Sequence, residues 1–189
     1  VPGSLFVMGA ESSAVIDGHV RAAGEPKDGK TIKVGIDFQP GYSDYVPFKD
    51  AKIPYLFVTS GACDDYHQTG DTAGRILWTH LKARTLWCLD VTMRLVNGKE
   101  RPAWRDSVPP SVDELKDVRA LIATIEKDIA SVPNLPPIAA QMVGNYGTFL
   151  DKILADDQVT PEERTFARNG ALNLFRMAQQ MAAVMNQQR

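Results

Sequence analysis

The sequence predicts an α/β half over residues 1–100, a linker over residues 101–110 and an all-helical extension over residues 111–189. Three observations carry this. Short continuous apolar runs, the signature of buried strands, punctuate the first half. Three prolines then fall between Arg101 and Pro110, where the chain changes character. Beyond them the apolar residues recur at three- to four-residue spacing.

In the first half, Leu5 to Gly9 reads as a buried strand. Asp17 to Lys30 is polar and carries Gly18, Gly24, Pro26 and Gly29, so irregular structure is expected there. Ile32, Val34, Ile36 and Phe38 alternate with Lys33, Gly35 and Asp37, which predicts a strand with one covered face. Pro40-Gly41 turns the chain. Ser43 to Ala51 fits a short helix capped by Ser43 or Asp44, with Pro47 confined to its first turn. Pro54 to Val58 reads as the clearest buried strand. A loop from Gly61 to Gly74 follows, then a helix from Ile76 to about Val96 with Leu77, Leu81, Cys88, Thr92 and Val96 on one face.

The second half opens on Ser111-Val112-Asp113-Glu114, a capping box, with Leu115, Val118, Ile122, Ile125 and Ile129 behind it. Pro133 to Pro137 breaks the chain, and Met142, Tyr146, Phe149 and Ile153 mark the next helix. Thr160-Pro161-Glu162-Glu163 is the strongest helix start: a threonine cap, proline at the first helical position and a glutamate returning to the cap. Phe166, Leu174, Met177 or Ala178, Met181 and Met185 line that last helix as packing residues.

Composition excludes several functions. The 189 residues are 44% hydrophobic, enough for a real core, and 21 basic against 23 acidic residues leave a net charge of −2. No basic patch suits a phosphate backbone, so nucleic acid is not an expected partner. No run of 18 apolar residues predicts a membrane span. Cys63 and Cys88 make no disulfide scaffold, although one bridge between them stays open.

The polar side chains of catalytic type cluster in the Gly61–Gly74 loop: Asp64, Asp65, Tyr66, His67 and Asp71. A loop following a buried strand is where open α/β sheets hold ligands. Imidazole suits zinc, and neighbouring carboxylates suit a second metal. Asp71 also reads as the cap of the helix after it, and Asp44 as a cap of the short helix. His19 and His80 are weaker candidates. No nucleophile elbow, phosphate loop or calcium loop is present.

Three blocks carry a resemblance: Gly41 to Phe48, Ala51 to Phe57, and Asp65-Tyr66-His67-Gln68-Thr69-Gly70-Asp71-Thr72. In this order and at these distances they resemble the cocatalytic zinc aminopeptidases, and the strand Leu5 to Gly9 with Ala10-Glu11-Ser12 resembles the segment downstream of a metal-binding aspartate in that family. The resemblance covers residues 1 to about 97. It implies a zinc-exopeptidase-like three-layer sandwich, present in part, with a mixed, mainly parallel sheet. It also implies two zinc ions, a peptide substrate and hydrolysis by metal-activated water. His67 matches a metal ligand and Tyr66 an oxyanion donor. Asp44 matches an acidic residue beside the site, and Asp65, Asp71 and Tyr45 fall around it. Export to the periplasm or beyond is a habit of the family.

Two departures matter. Ser43-Asp44-Tyr45 stands where the family usually has Ser-Asp-His, and tyrosine does not take up a proton near neutral pH. The family also needs two zinc ions about 3.5 Å apart, and relatives draw the first histidine, the bridging aspartate, a glutamate pair and a further aspartate from sequence preceding residue 1. Of the ligand set only His67 remains, so the chain, which opens on valine, is expected to be inactive by itself. Two accounts fit: a part of a longer aminopeptidase, or a non-catalytic module with a structural or binding role. Either a missing N-terminal half of the domain or a homodimer partner would cover the sheet edges.

Overall fold

The structure, a computed structural model, describes residues 4–38, 43–61, 67–129 and 136–187, with side chains described as far as Leu174 apart from that of residue 128. The chain divides into two compact units: Val1–Ile36 with Gly41–Val108, and Asp37–Pro40 with Pro109–Arg189.

In the first unit three strands are found among the described residues: β1 (Ser4–Met8), β2 (Lys30–Lys33) and β3 (Phe57–Thr59), in the order β2-β1-β3. β1 and β2 run parallel with Phe6 opposite Ile32, and β1 and β3 run antiparallel with Val7 opposite Val58. The sheet is mixed, with one pairing of each kind among these strands, so "mainly parallel" does not describe it. Helix α1 (Ala14–Ala23) makes the crossover between the parallel strands.

The crossover helix corrects the irregular segment expected from Asp17 onward. Ile16 and Val20, four residues apart, bury one face despite Gly18. β2 also stops earlier than the alternation predicts. The ladder reaches Val34, whose amide donates to Val7 O, but the Ile36 amide donates to Glu11 Oε1 at 2.7 Å. A side-chain acceptor thus replaces the strand partner, and residues 36–38 coil into a single 3₁₀ turn. β3 is shorter and less buried than Pro54 to Val58 promised. The Tyr55 amide donates to Ser12 Oγ at 3.3 Å, and pairing with β1 begins only at Phe57.

Helix α2 (Val46–Asp50) carries Pro47 in its first turn, as expected. Helix α3 (Trp78–Asn97) ends before Gly98, also as expected. Its buried face differs: Trp87 and Val91 enter a core with Leu5, Val7, Ala10, Ile16 and Val20. Leu77, Leu81, Thr92 and Val96 are exposed, and Cys88 is half-buried. Apolar residues surround much of this helix, so periodicity did not single out the face that meets α1 and β1. Trp87 Nε1–H donates to Gly24 O at 2.8 Å, joining α3 to the end of α1.

The second unit is helical: α4 (Val112–Ile129), α5 (Pro137–Ile153) and α6 (Pro161–Gln187). Leu115, Val118 and Ile122 of α4, Val143, Tyr146, Leu150 and Ile153 of α5 and Ala167 of α6 are all buried. Met142 and Phe166, expected on packed faces, are largely exposed. The α6 start is the capping box the sequence predicts: the Glu163 amide donates to Thr160 Oγ1, and Glu163 Oε2 accepts from the Thr160 amide. At α4 the Glu114 amide donates to Ser111 Oγ at 3.4 Å, while the Glu114 carboxylate engages Arg164 of α6 at 2.6 Å. The positions expected at Met177, Ala178, Met181 and Met185 lie outside the described side chains, as does the break over 133–135 outside the described residues.

Candidate functional site

The candidate site residues sit on two connections of the first unit. Ser43 and Asp44 are exposed in the turn that enters α2. Tyr45, the next residue, is buried: its ring stacks on Tyr55 with centroids 5.4 Å apart and tilts against Phe57 at 5.3 Å. Burial raises the Tyr45 phenol, and burial together with the charge of Glu11 and the neighbouring Tyr45 raises Tyr55 further. Both rings are neutral packing groups at any physiological pH. The position at which the resemblance implies a histidine is thus part of an aromatic core.

His67 is exposed and opens the turn leading into Asp71. Its φ of 59° is left-handed, uncommon for a residue with a β-carbon though less so for histidine. The Asp71 amide donates to Gln68 O at 3.1 Å and closes the turn. Asp71 itself is exposed. Thr72, not Asp71, precedes the 3₁₀ turn Ala73–Arg75, without a side-chain capping bond, and α3 starts only at Trp78. Asp64, Asp65 and Tyr66 lie outside the described residues, and so does Cys63. Burial pushes the Cys88 thiol up, away from the reactive thiolate.

Among the described residues no group of three or more His, Cys, Asp or Glu side chains could hold a metal ion. A catalytic zinc takes three protein ligands as a rule. The donors described here therefore do not fit a pair of zinc ions.

The structure assembles one cluster around His80, a weaker candidate from sequence. Asp28 Oδ2 lies 2.6 Å from His80 Nδ1 and accepts from Arg84 Nε at 3.1 Å. Burial acts to raise the Asp28 carboxyl, but the hydrogen bond with His80 and the charge of Arg84 outweigh it and leave it below the usual carboxylate range. The signal available was the four-residue spacing of His80 and Arg84, which puts both on one side of α3. With the Trp87–Gly24 bond one turn further along, the cluster anchors the loop after α1 to α3.

No helix among the described residues is long and apolar enough to cross a membrane. In comparisons with known proteins, neither a curated protein nor a solved structure matches the chain. One family model does, peptidase family M28, over residues 1–92, a span that contains β1 to β3, the Ser43–Tyr45 turn and His67. Residues 1–92 are thus similar to peptidase family M28.

Proposed function

We propose that residues 1–100 are the C-terminal part of a zinc-dependent aminopeptidase domain that removes N-terminal residues from peptides, and that residues 1–189 alone do not turn over. The observation that supports it best is the Asp65–Thr72 block: it lies within the matched residues and presents His67 at an exposed left-handed turn. On this reading His67 is one metal ligand and Tyr66 a hydrogen-bond donor to the oxyanion. Asp44 faces substrate or orients the imidazole, and Asp65, Asp71 and Tyr45 support the loop. The remaining donors, and the rest of a three-layer sandwich, come from polypeptide other than residues 1–189. Residues 101–110 are the linker and 111–189 the helical extension.

The test is turnover of aminoacyl p-nitroanilides by residues 1–189 with added zinc. None is expected. Turnover that disappears in His67→Ala would show that the site is complete within these residues.

One observation favours a second reading, a non-catalytic structural or protein-binding module. Tyr45 replaces the family histidine and is sequestered against Tyr55 and Phe57. Elemental analysis of the natural gene product separates the two: about two metal ions per chain on the enzyme reading, none on the module reading.

A further inference from the structure

Helix α3 meets the core of the first unit along one side, through Trp87 and Val91. Its opposite side carries a second apolar stripe: Trp78, Leu81, Leu86, Leu89, Met93 and Val96, each 46 to 73% exposed. At about 3.6 residues per turn, these six fall within about 140° of the circumference of a helix about 30 Å long. A lone soluble domain rarely leaves so large a continuous apolar face in water.

The spacing of the stripe is symmetric about the level of Trp87. Trp78 and Val96 lie nine residues to either side, Leu81 and Met93 six, and Thr85 and Leu89 two. Two copies of α3 laid antiparallel with that level at the midpoint therefore match large against slim. Trp78 meets the partner's Val96, Leu81 meets the partner's Met93, Leu89 meets the partner's Thr85, and the two-fold axis repeats each contact. Thr92, exposed near the seam, donates its hydroxyl to Cys88 O at 2.8 Å and so brings no unpaired donor into it. Six large apolar side chains from each copy are of the order of the roughly 800 Å² per partner that a stable interface takes.

Charge follows the same symmetry. Lys82 and Asp90 border the stripe on one flank. The other two charged residues of the helix turn elsewhere: Arg84 donates to Asp28, and Arg94 lies farther round, donating to Asp90 at 2.8 Å. In the antiparallel pair, Lys82 comes within about 3 Å along the axis of the level of the partner's Asp90, on the same flank, and this occurs twice. A parallel pair would set lysine against lysine instead.

We propose that α3 is a self-association surface: two copies of this chain pair their α3 helices antiparallel about Trp87, and each covers the other's stripe. The inference stands on α3 alone and is independent of the peptidase reading.

Sedimentation equilibrium of residues 1–189 tests it. With rising concentration the unaltered chain is expected to reach a dimer and stop there. Lys82→Glu and Asp90→Lys change exposed flank residues and leave the core untouched. Each sets like charges together at both ends of the pair and should weaken dimerisation about tenfold. Mixed in equal amounts, the two variants should recover it, because opposite charges then meet at both ends. Leu89→Lys, in the middle of the stripe, should abolish the dimer without loss of helical circular dichroism. A monomer at every concentration overturns the proposal and leaves the stripe to other polypeptide. Growth past the dimer overturns it, and so does a dimer that survives Leu89→Lys or a mixture no better associated than either charge variant alone. None of these readouts involves turnover, so failure here and failure of the peptidase reading are distinguishable.

Discussion

Tyr55 lies directly over Gly9: a β-carbon added to Gly9 would stand 2.5 Å from the tyrosine ring and 2.9 Å from its carbonyl oxygen. Gly9 also has a φ of 86°. Gly9→Ala therefore meets strain and overlap together, and should destabilise the first unit by about 2–4 kcal/mol. Urea unfolding monitors this, and a midpoint within error of the unaltered chain would refute the close approach.

Tyr45→His places the residue that the resemblance implies at a buried position. The substitution loses aromatic stacking, about 1 kcal/mol, and buries an imidazole with polar nitrogens, about 1–3 kcal/mol more. A clear fall in the urea midpoint is expected. An unchanged or raised midpoint would mean that this position is not packed as described.

Gly170 has the same relation to Tyr146 in the helical unit, where an added β-carbon would stand 2.5 Å from the ring. Alanine favours a helix over glycine by about 1 kcal/mol, yet Gly170→Ala should destabilise by about 1–3 kcal/mol through overpacking. In a Tyr146→Ala background the overlap is gone and Gly170→Ala should stabilise. The double-mutant cycle decides: no reversal of sign, no close approach. Tyr146→Phe separately removes the hydroxyl that donates to Ala167 O, for about 1 kcal/mol.

Asp28 sets a pH dependence. Its carboxyl lies below the ordinary range in the folded protein, so the unfolded chain binds the proton more readily. The stability from its contacts with His80 and Arg84 is complete above about pH 4, the ordinary aspartate range. It is lost as pH falls through the lowered folded value. Urea midpoints measured downward from pH 5 should drop, and Asp28→Asn should begin lower and drop less. An equal slope in the variant would place the acid sensitivity elsewhere.

The legible parts of this fold are those with local signals. β1 is a five-residue apolar run, α2 is fixed by Pro47, and α6 starts where threonine, proline and glutamate fall in order. The misread parts depend on partners distant in sequence. β2 is cut short by Glu11, 25 residues from the amide it takes. The tie of Asp37 to Arg164 spans 127 residues and leaves no local trace. α1 was hidden by glycine and polar neighbours, and the buried face of α3 by apolar residues on its other sides. Of the site, His67 was legible through its motif. The packing of Tyr45 was not, because it depends on Tyr55 and Phe57 meeting it across the chain.

Trp87, held against Gly24, has its two fellow tryptophans in the same unit: exposed Trp78 and half-buried Trp104. Residues 109–189 contain none. Intrinsic indole emission is therefore a reporter for the first unit alone, whereas circular dichroism at helical wavelengths draws heavily on α4, α5 and α6. Followed side by side during denaturation, the two signals distinguish one cooperative transition from two successive ones.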